Sequence, residues 1–197
     1  MSSATRAVWL LGALAAAVPA FAQQQPDQGF VLGPPFAATT LETAEGAAVA
    51  TVTMTNAPTG LLVRVEFNGM PAGTYALHVH ETGACTPDFE AAGGHFNPTD
   101  AQHGFLAEGG PHLGDLPNVT IPESGIAIFE FFAPGLSVDP GPPPAGGNEA
   151  AAPGPGYLFD EDGAAMLIHA MPDDYLTEPA GDAGERFACG VLQLAQP

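Results

Sequence analysis

Short runs in which apolar and polar residues alternate, separated by turn-forming clusters, constrain this chain more than any other feature. In residues 61–69, LLVRVEFNG, Val63, Val65 and Phe67 fall on one face and Arg64, Glu66 and Asn68 on the other. That period of two suits a half-buried strand and is incompatible with one face of a helix. Residues 50–56, ATVTMTN, alternate in the same way, and 74–81, 125–132, 164–170 and 187–195 are further strand candidates. No segment combines a helical apolar stripe with capping residues. The chain is therefore expected to be all-β, an antiparallel sandwich or barrel.

Three stretches interrupt the strands. Residues 82–118 are rich in Gly, Pro and His and poor in aliphatics; residues 140–156, PGPPPAGGNEAAAPGPG, are a low-complexity insertion; residues 171–186 form an acidic loop. The insertion reads as a surface excursion. A long loop inside a compact domain needs a reason to be ordered, and the first of these three has a chemical one.

Residues 1–22 have the form of a secretory signal: Arg6, an apolar run from Ala7 to Val18, and Ala20-Phe21-Ala22 before Gln23. The apolar run is short for spanning a membrane, which takes about 20 residues. The expected organisation is a signal peptide at 1–22, a flexible Pro/Gly-rich leader at 23–36, and one domain at 37–197, exported to a periplasmic or extracellular space. In such an oxidising compartment the two cysteines, Cys85 and Cys189, most simply form one disulfide. Charge is extreme: 22 acidic residues stand against three arginines and no lysine. Without Arg6 the balance is −20. Binding of nucleic acid or anionic membrane through a basic patch is excluded on that ground.

All six histidines, His78, His80, His95, His103, His112 and His169, lie in the middle of the chain. On a strand His78 and His80 share a face, a chelating arrangement. His112 is followed three residues later by Asp115, and three histidines with that carboxylate on a loop suit tetrahedral zinc. His78, His80 and His169 leave an all-nitrogen set suited to Cu(II).

The series LHVHETGAC, GGHFNP, HGFLAEGGPHLGDLPNV, LIHAMPDDY and GERFACGV resembles the copper/zinc superoxide dismutase family, in particular its exported bacterial branch, over roughly residues 37–195. The resemblance implies a Greek-key, immunoglobulin-like flattened barrel with copper and zinc as cofactors. It implies copper ligands at His78, His80, His95 and His169, and zinc ligands at His95, His103, His112 and Asp115, with His95 shared. It further implies that Asp173 links His78 to His103, that Arg186 guides a small anion beside the copper, and that the substrate is superoxide. Family members occur as monomers and as dimers, so a homodimer is left open. An exported copper/zinc carrier with little dismutase activity is the alternative reading.

Three departures from the family pattern stand out. Thr74-Tyr75-Ala76 replaces a His-Gly pair ahead of the first copper histidine, without removing a ligand. The insertion at 140–156 enlarges a connection that is usually tight. Lysines often found near the site mouth are absent, and Asp173, Asp174, Glu178 and Asp182 flank Arg186 in sequence. A negative substrate is expected to meet net repulsion at low salt.

Overall fold

The structure is a computed structural model and describes residues 37–139, 154 and 156–195. The expected signal peptide and leader, and nearly all of the 140–156 insertion, lie outside the described residues. Ten strands occur among the described residues: β1 (Ala37–Thr43), β2 (Ala48–Ala57), β3 (Gly60–Asn68), β4 (Gly73–Tyr75), β5 (Leu77–His80), β6 (Val119–Ile121), β7 (Ile126–Pro134), β8 (Ala165–His169), β9 (Arg186–Val191) and β10 (Gln193–Leu194). A single 3-10 turn, Phe89–Ala92, is the only helical element among them.

The main sheet runs in the order β5-β8-β9-β1-β2-β3-β7, every pairing antiparallel, with β10 added to β1. A two-stranded sheet joins β4 to β6. The chain leaves β3, passes through β4, forms β5 at the far end of the main sheet, pairs β6 with β4 in the small sheet, and returns as β7 beside β3. That long return is the Greek-key connection.

Alternation in the sequence becomes burial. Val63, Val65 and Phe67 of β3 are inaccessible, as are Val52 and Met54 of the neighbouring β2, while Glu66 and Asn68 face solvent. The Phe67 ring meets Phe129 of β7 edge-on, centroids 5.9 Å apart. On β7 the alternation is also kept, but its outward face carries exposed Ile126, Ile128 and Phe132. The expected strand over 74–81 is broken at Ala76, whose N–H and C=O bond Met171 and His169. Tyr75 is absorbed at this break, its ring near Phe187 and its hydroxyl donating to the Pro71 carbonyl. Strand β1 has no clean alternation, yet it lies between β2 and β9 with Leu41 fully buried.

Strand β5 positions the site. Leu77 and Val79 point into the apolar core, so His78 and His80 emerge together on the opposite face. One edge of β5 is paired with β8. Against its other edge lie two pieces of the long loop: Phe96 N–H donates to the Val79 carbonyl, and Val79 N–H donates to the Gly114 carbonyl. A Cβ on Gly114 would sit 2.3 Å from the Val79 carbonyl oxygen, so only glycine allows this approach. Backbone pairing thus delivers His95 and Asp115 opposite His80 and His78.

A candidate two-metal centre

Two groups of side chains converge beside β5. His78, His80, His95 and His169 place ligating atoms within 4.8 Å of one another, and so do His95, His103, His112 and Asp115. All seven side chains are buried. His95 belongs to both groups.

The second group is tightly knit. Nδ1 of His95 lies 2.8 Å from Asp115 Oδ1, Nδ1 of His103 3.2 Å and Nδ1 of His112 3.3 Å from the same oxygen. The other oxygen, Oδ2, accepts from the backbone N–H groups of Gly104 and His112. In the first group His80 Nε2 and His169 Nε2 approach to 3.3 Å, while their Nδ1 atoms face the Gly93 and Gly184 carbonyls. His78 Nδ1 and His95 Nε2 are buried with no hydrogen-bond partner among the described residues. Buried imidazole nitrogens are rarely left so, and these two belong to the all-imidazole group. The donor sets fit two different ions: four nitrogens suit copper, and three nitrogens with a carboxylate suit zinc.

Asp173 connects the groups. Its Oδ2 lies 3.0 Å from His78 Nε2 and its Oδ1 3.0 Å from His103 Nε2. Gly181, at φ +65°, passes over this link so closely that a Cβ would fall on Asp173 Oδ1. Burial pushes His78 down to about 3 and His169 to about 4, and lowers His80 and His95 as well. These four rings are therefore neutral at pH 7, with lone pairs available to a metal. Burial acts on His103 in the same sense, but hydrogen bonds to Asp115 and Asp173 outweigh it and raise the ring to about 9. Burial would raise both carboxyls; their histidine partners instead hold Asp115 and Asp173 well below the usual range.

Beside the all-imidazole group a cavity of about 440 Å³ is lined by His80, His95, His169 and Arg186. The Arg186 guanidinium donates to the Phe89 carbonyl at 2.6 Å and the Gly93 carbonyl at 2.7 Å. Gly93 thereby accepts from both Arg186 and His80. Cys85 and Cys189 form a disulfide, which ties the loop carrying Phe89 and Gly93 to β9, where Arg186 begins. Of Asp173, Asp174, Glu178 and Asp182, only Glu178 lines the cavity; Asp173 is buried on the histidines. Glu81, next to His80 in the chain, and Asp100 also line it, and neither was among the expected site residues.

A Greek-key β-fold whose long loop closes against one strand, with two metal-competent groups sharing a histidine, defines a protein built to hold two adjacent ions. The chain belongs to the copper/zinc superoxide dismutase family, whose model, "Copper/zinc superoxide dismutase (SODC)", matches residues 48–192. It is 40% identical over 151 residues to a Cu-Zn superoxide dismutase of Caulobacter vibrioides, covering 76% of this chain and 80% of that one. It is 39% identical over 136 residues to Cu-Zn superoxide dismutase 1 of Aquifex aeolicus, covering 68% and 73%. The crystal structure of a SOD-like protein from Bacillus subtilis superposes with a TM-score of 0.69 at 36% identity, over 79% of this chain and 97% of that one.

Proposed function

We propose that this protein is an exported superoxide dismutase that holds copper on His78, His80, His95 and His169 and zinc on His95, His103, His112 and Asp115. The observation that carries the reading is the pair of buried nitrogens without a hydrogen-bond partner among the described residues, His78 Nδ1 and His95 Nε2, with His95 lining a cavity that Arg186 also lines. Bound copper would supply the redox chemistry, taking an electron from one superoxide and giving it to a second, so that two superoxides and two protons become dioxygen and hydrogen peroxide. Zinc has no redox chemistry and would serve as a structural ion.

The chain's own groups do the rest. Two backbone carbonyls hold the Arg186 guanidinium in place, so it can orient a small anion without first reorganising. Asp173 fixes the rings of His78 and His103 through their Nε2 atoms. His95 Nε2, buried at the cavity, is the nitrogen that can hold a proton for the departing peroxide. A carrier would have no use for a fixed guanidinium at the open side of a metal set. The organisation we infer is a signal at 1–22, a leader at 23–36 and the dismutase domain at 37–197.

The test is to load the mature protein with copper and zinc, quantify both metals, and follow superoxide decay. Acceleration in proportion to copper content is expected. Metal-replete protein that leaves superoxide to decay at its spontaneous rate would overturn the enzymatic reading in favour of a carrier.

A further inference from the structure

Tyr175 is held at φ +63°, a left-handed conformation disfavoured for a bulky side chain. The other non-glycine residues at positive φ among the described ones, Asp100 and Asp182, belong to a type that tolerates it. The N–H, the carbonyl and the hydroxyl oxygen of Tyr175 are each engaged. Its N–H donates to Asp173 Oδ1 at 2.6 Å, its carbonyl accepts from Leu106 N–H at 3.0 Å, and its hydroxyl accepts from Asn118 N–H at 2.7 Å. Its ring packs on Phe105, centroids 5.5 Å apart. Gly104 lies so close that a Cβ would be 2.1 Å from the Tyr175 carbonyl oxygen. Asn118 completes the arrangement: its side-chain amide donates to the Asp173 carbonyl and accepts from Asp173 N–H, both at 2.8 Å.

Three segments distant in sequence therefore meet at one side chain. One follows His103, one follows Asp115, and one carries Asp173. The oxygen that takes the Tyr175 N–H is the same oxygen that faces His103 Nε2. Backbone strain of this kind persists only where the surroundings over-determine it, and here four contacts do so. We propose that Tyr175 is a positioning residue: it sets the Asp173 carboxylate, and through it the ring orientations of His103 and His78, so that the zinc-side and copper-side groups are aligned together. This rests on the metal assignment above. Among the described residues Tyr175 makes no hydrogen bond to either ligand set, and it acts through Asp173.

The test compares Tyr175→Phe, which removes only the hydroxyl, with Tyr175→Gly, which relaxes the backbone but removes ring and hydroxyl. Val52→Ala, on a strand paired with β1 and β3, serves as a control that lowers stability elsewhere. Zinc affinity is measured by competition with a chromophoric chelator, and site geometry by the visible absorption of Co(II) placed in the zinc site. Tyr175→Phe is expected to weaken zinc about tenfold, the lower end for loss of a supporting partner, and to shift the Co(II) bands; Tyr175→Gly exceeds it on both. Val52→Ala lowers Tm and leaves affinity and bands as they were. Unchanged affinity and bands in Tyr175→Phe would overturn the proposal, as would an equal loss in Val52→Ala. Wild-type protein that takes up neither copper nor zinc would overturn the metal assignment as well.

Discussion

Arg186 illustrates what one residue can do when its geometry is fixed from behind. Two carbonyls hold its guanidinium, Glu90 lies 3.4 Å from Nε, and the side chain is only 16% exposed. Arg186→Ala is expected to lower superoxide kcat/KM by about 10–100-fold with both metals still bound, checked by pulse radiolysis alongside metal analysis. Loss of copper in that variant would instead make Arg186 a structural support. The buried histidines make a second prediction, for the metal-free protein. His78 and His169 lie near 3 and 4 when folded, against an ordinary 6.5. A depressed folded value means that the unfolded chain binds the proton first, so stability is lost as pH falls below about 6.5. The loss is at most about 1.4 kcal/mol per pH unit for each such ring. His103, raised to about 9, works in the opposite sense: its contribution is present below 6.5 and is lost as pH rises toward 9. The urea midpoint of chelator-treated protein should therefore be highest near pH 6.5 and fall on both sides; a midpoint still rising from pH 6.5 to 9 would contradict this.

At the scale of elements, β1 and β5 show how a strand's neighbours decide its value. Residues 37–43, AATTLET, give a weak pattern, yet β1 pairs with β2, β9 and β10 and so joins the two ends of the main sheet. Leu41 is its large fully buried side chain. Leu41→Ala is expected to destabilise the fold by about 2–5 kcal/mol in chemical denaturation, the range for an unrelieved core cavity. A loss under 1 kcal/mol would mean that the surrounding strands collapse onto the gap. Strand β5 is only four residues long, but every one is buried, because β8 covers one edge and the long loop the other. The disulfide anchors that loop at a separation of 104 residues, a closure worth about 4–5 kcal/mol in the chain-entropy model.

For the molecule as a whole, charge is the distinctive property. The described surface belongs to a chain of formal charge −19, and Glu81, Asp100 and Glu178 stand at the cavity that holds Arg186. Superoxide carries a negative charge, so attraction by Arg186 is opposed by its own surroundings. With a Debye length of about 8 Å at physiological ionic strength, the nearby carboxylates count for more than the total. We expect the second-order rate with superoxide to stay level or rise as salt increases from low ionic strength. A steep fall would show net attraction and count against this. No helix among the described residues is long and apolar enough to cross a membrane.

What the sequence determined by itself was the period-two pattern and the inventory of side chains able to ligate a metal. Alternation in 50–56 and 61–69 predicted the strands that form there, because side-chain direction in a strand follows from covalent geometry alone. His78 and His80 were legible as a pair for the same reason. Tertiary structure decided the rest. β1 and β6 carry little local signal, since their burial comes from partners distant in the chain. Asp100 reaches the cavity only because the long loop folds back on β5, and Tyr175 acquires its role only where three loops meet. Periodicity is a local property of the chain, whereas a site assembled across loops depends on which backbone edges pair, and that is settled only when the core closes.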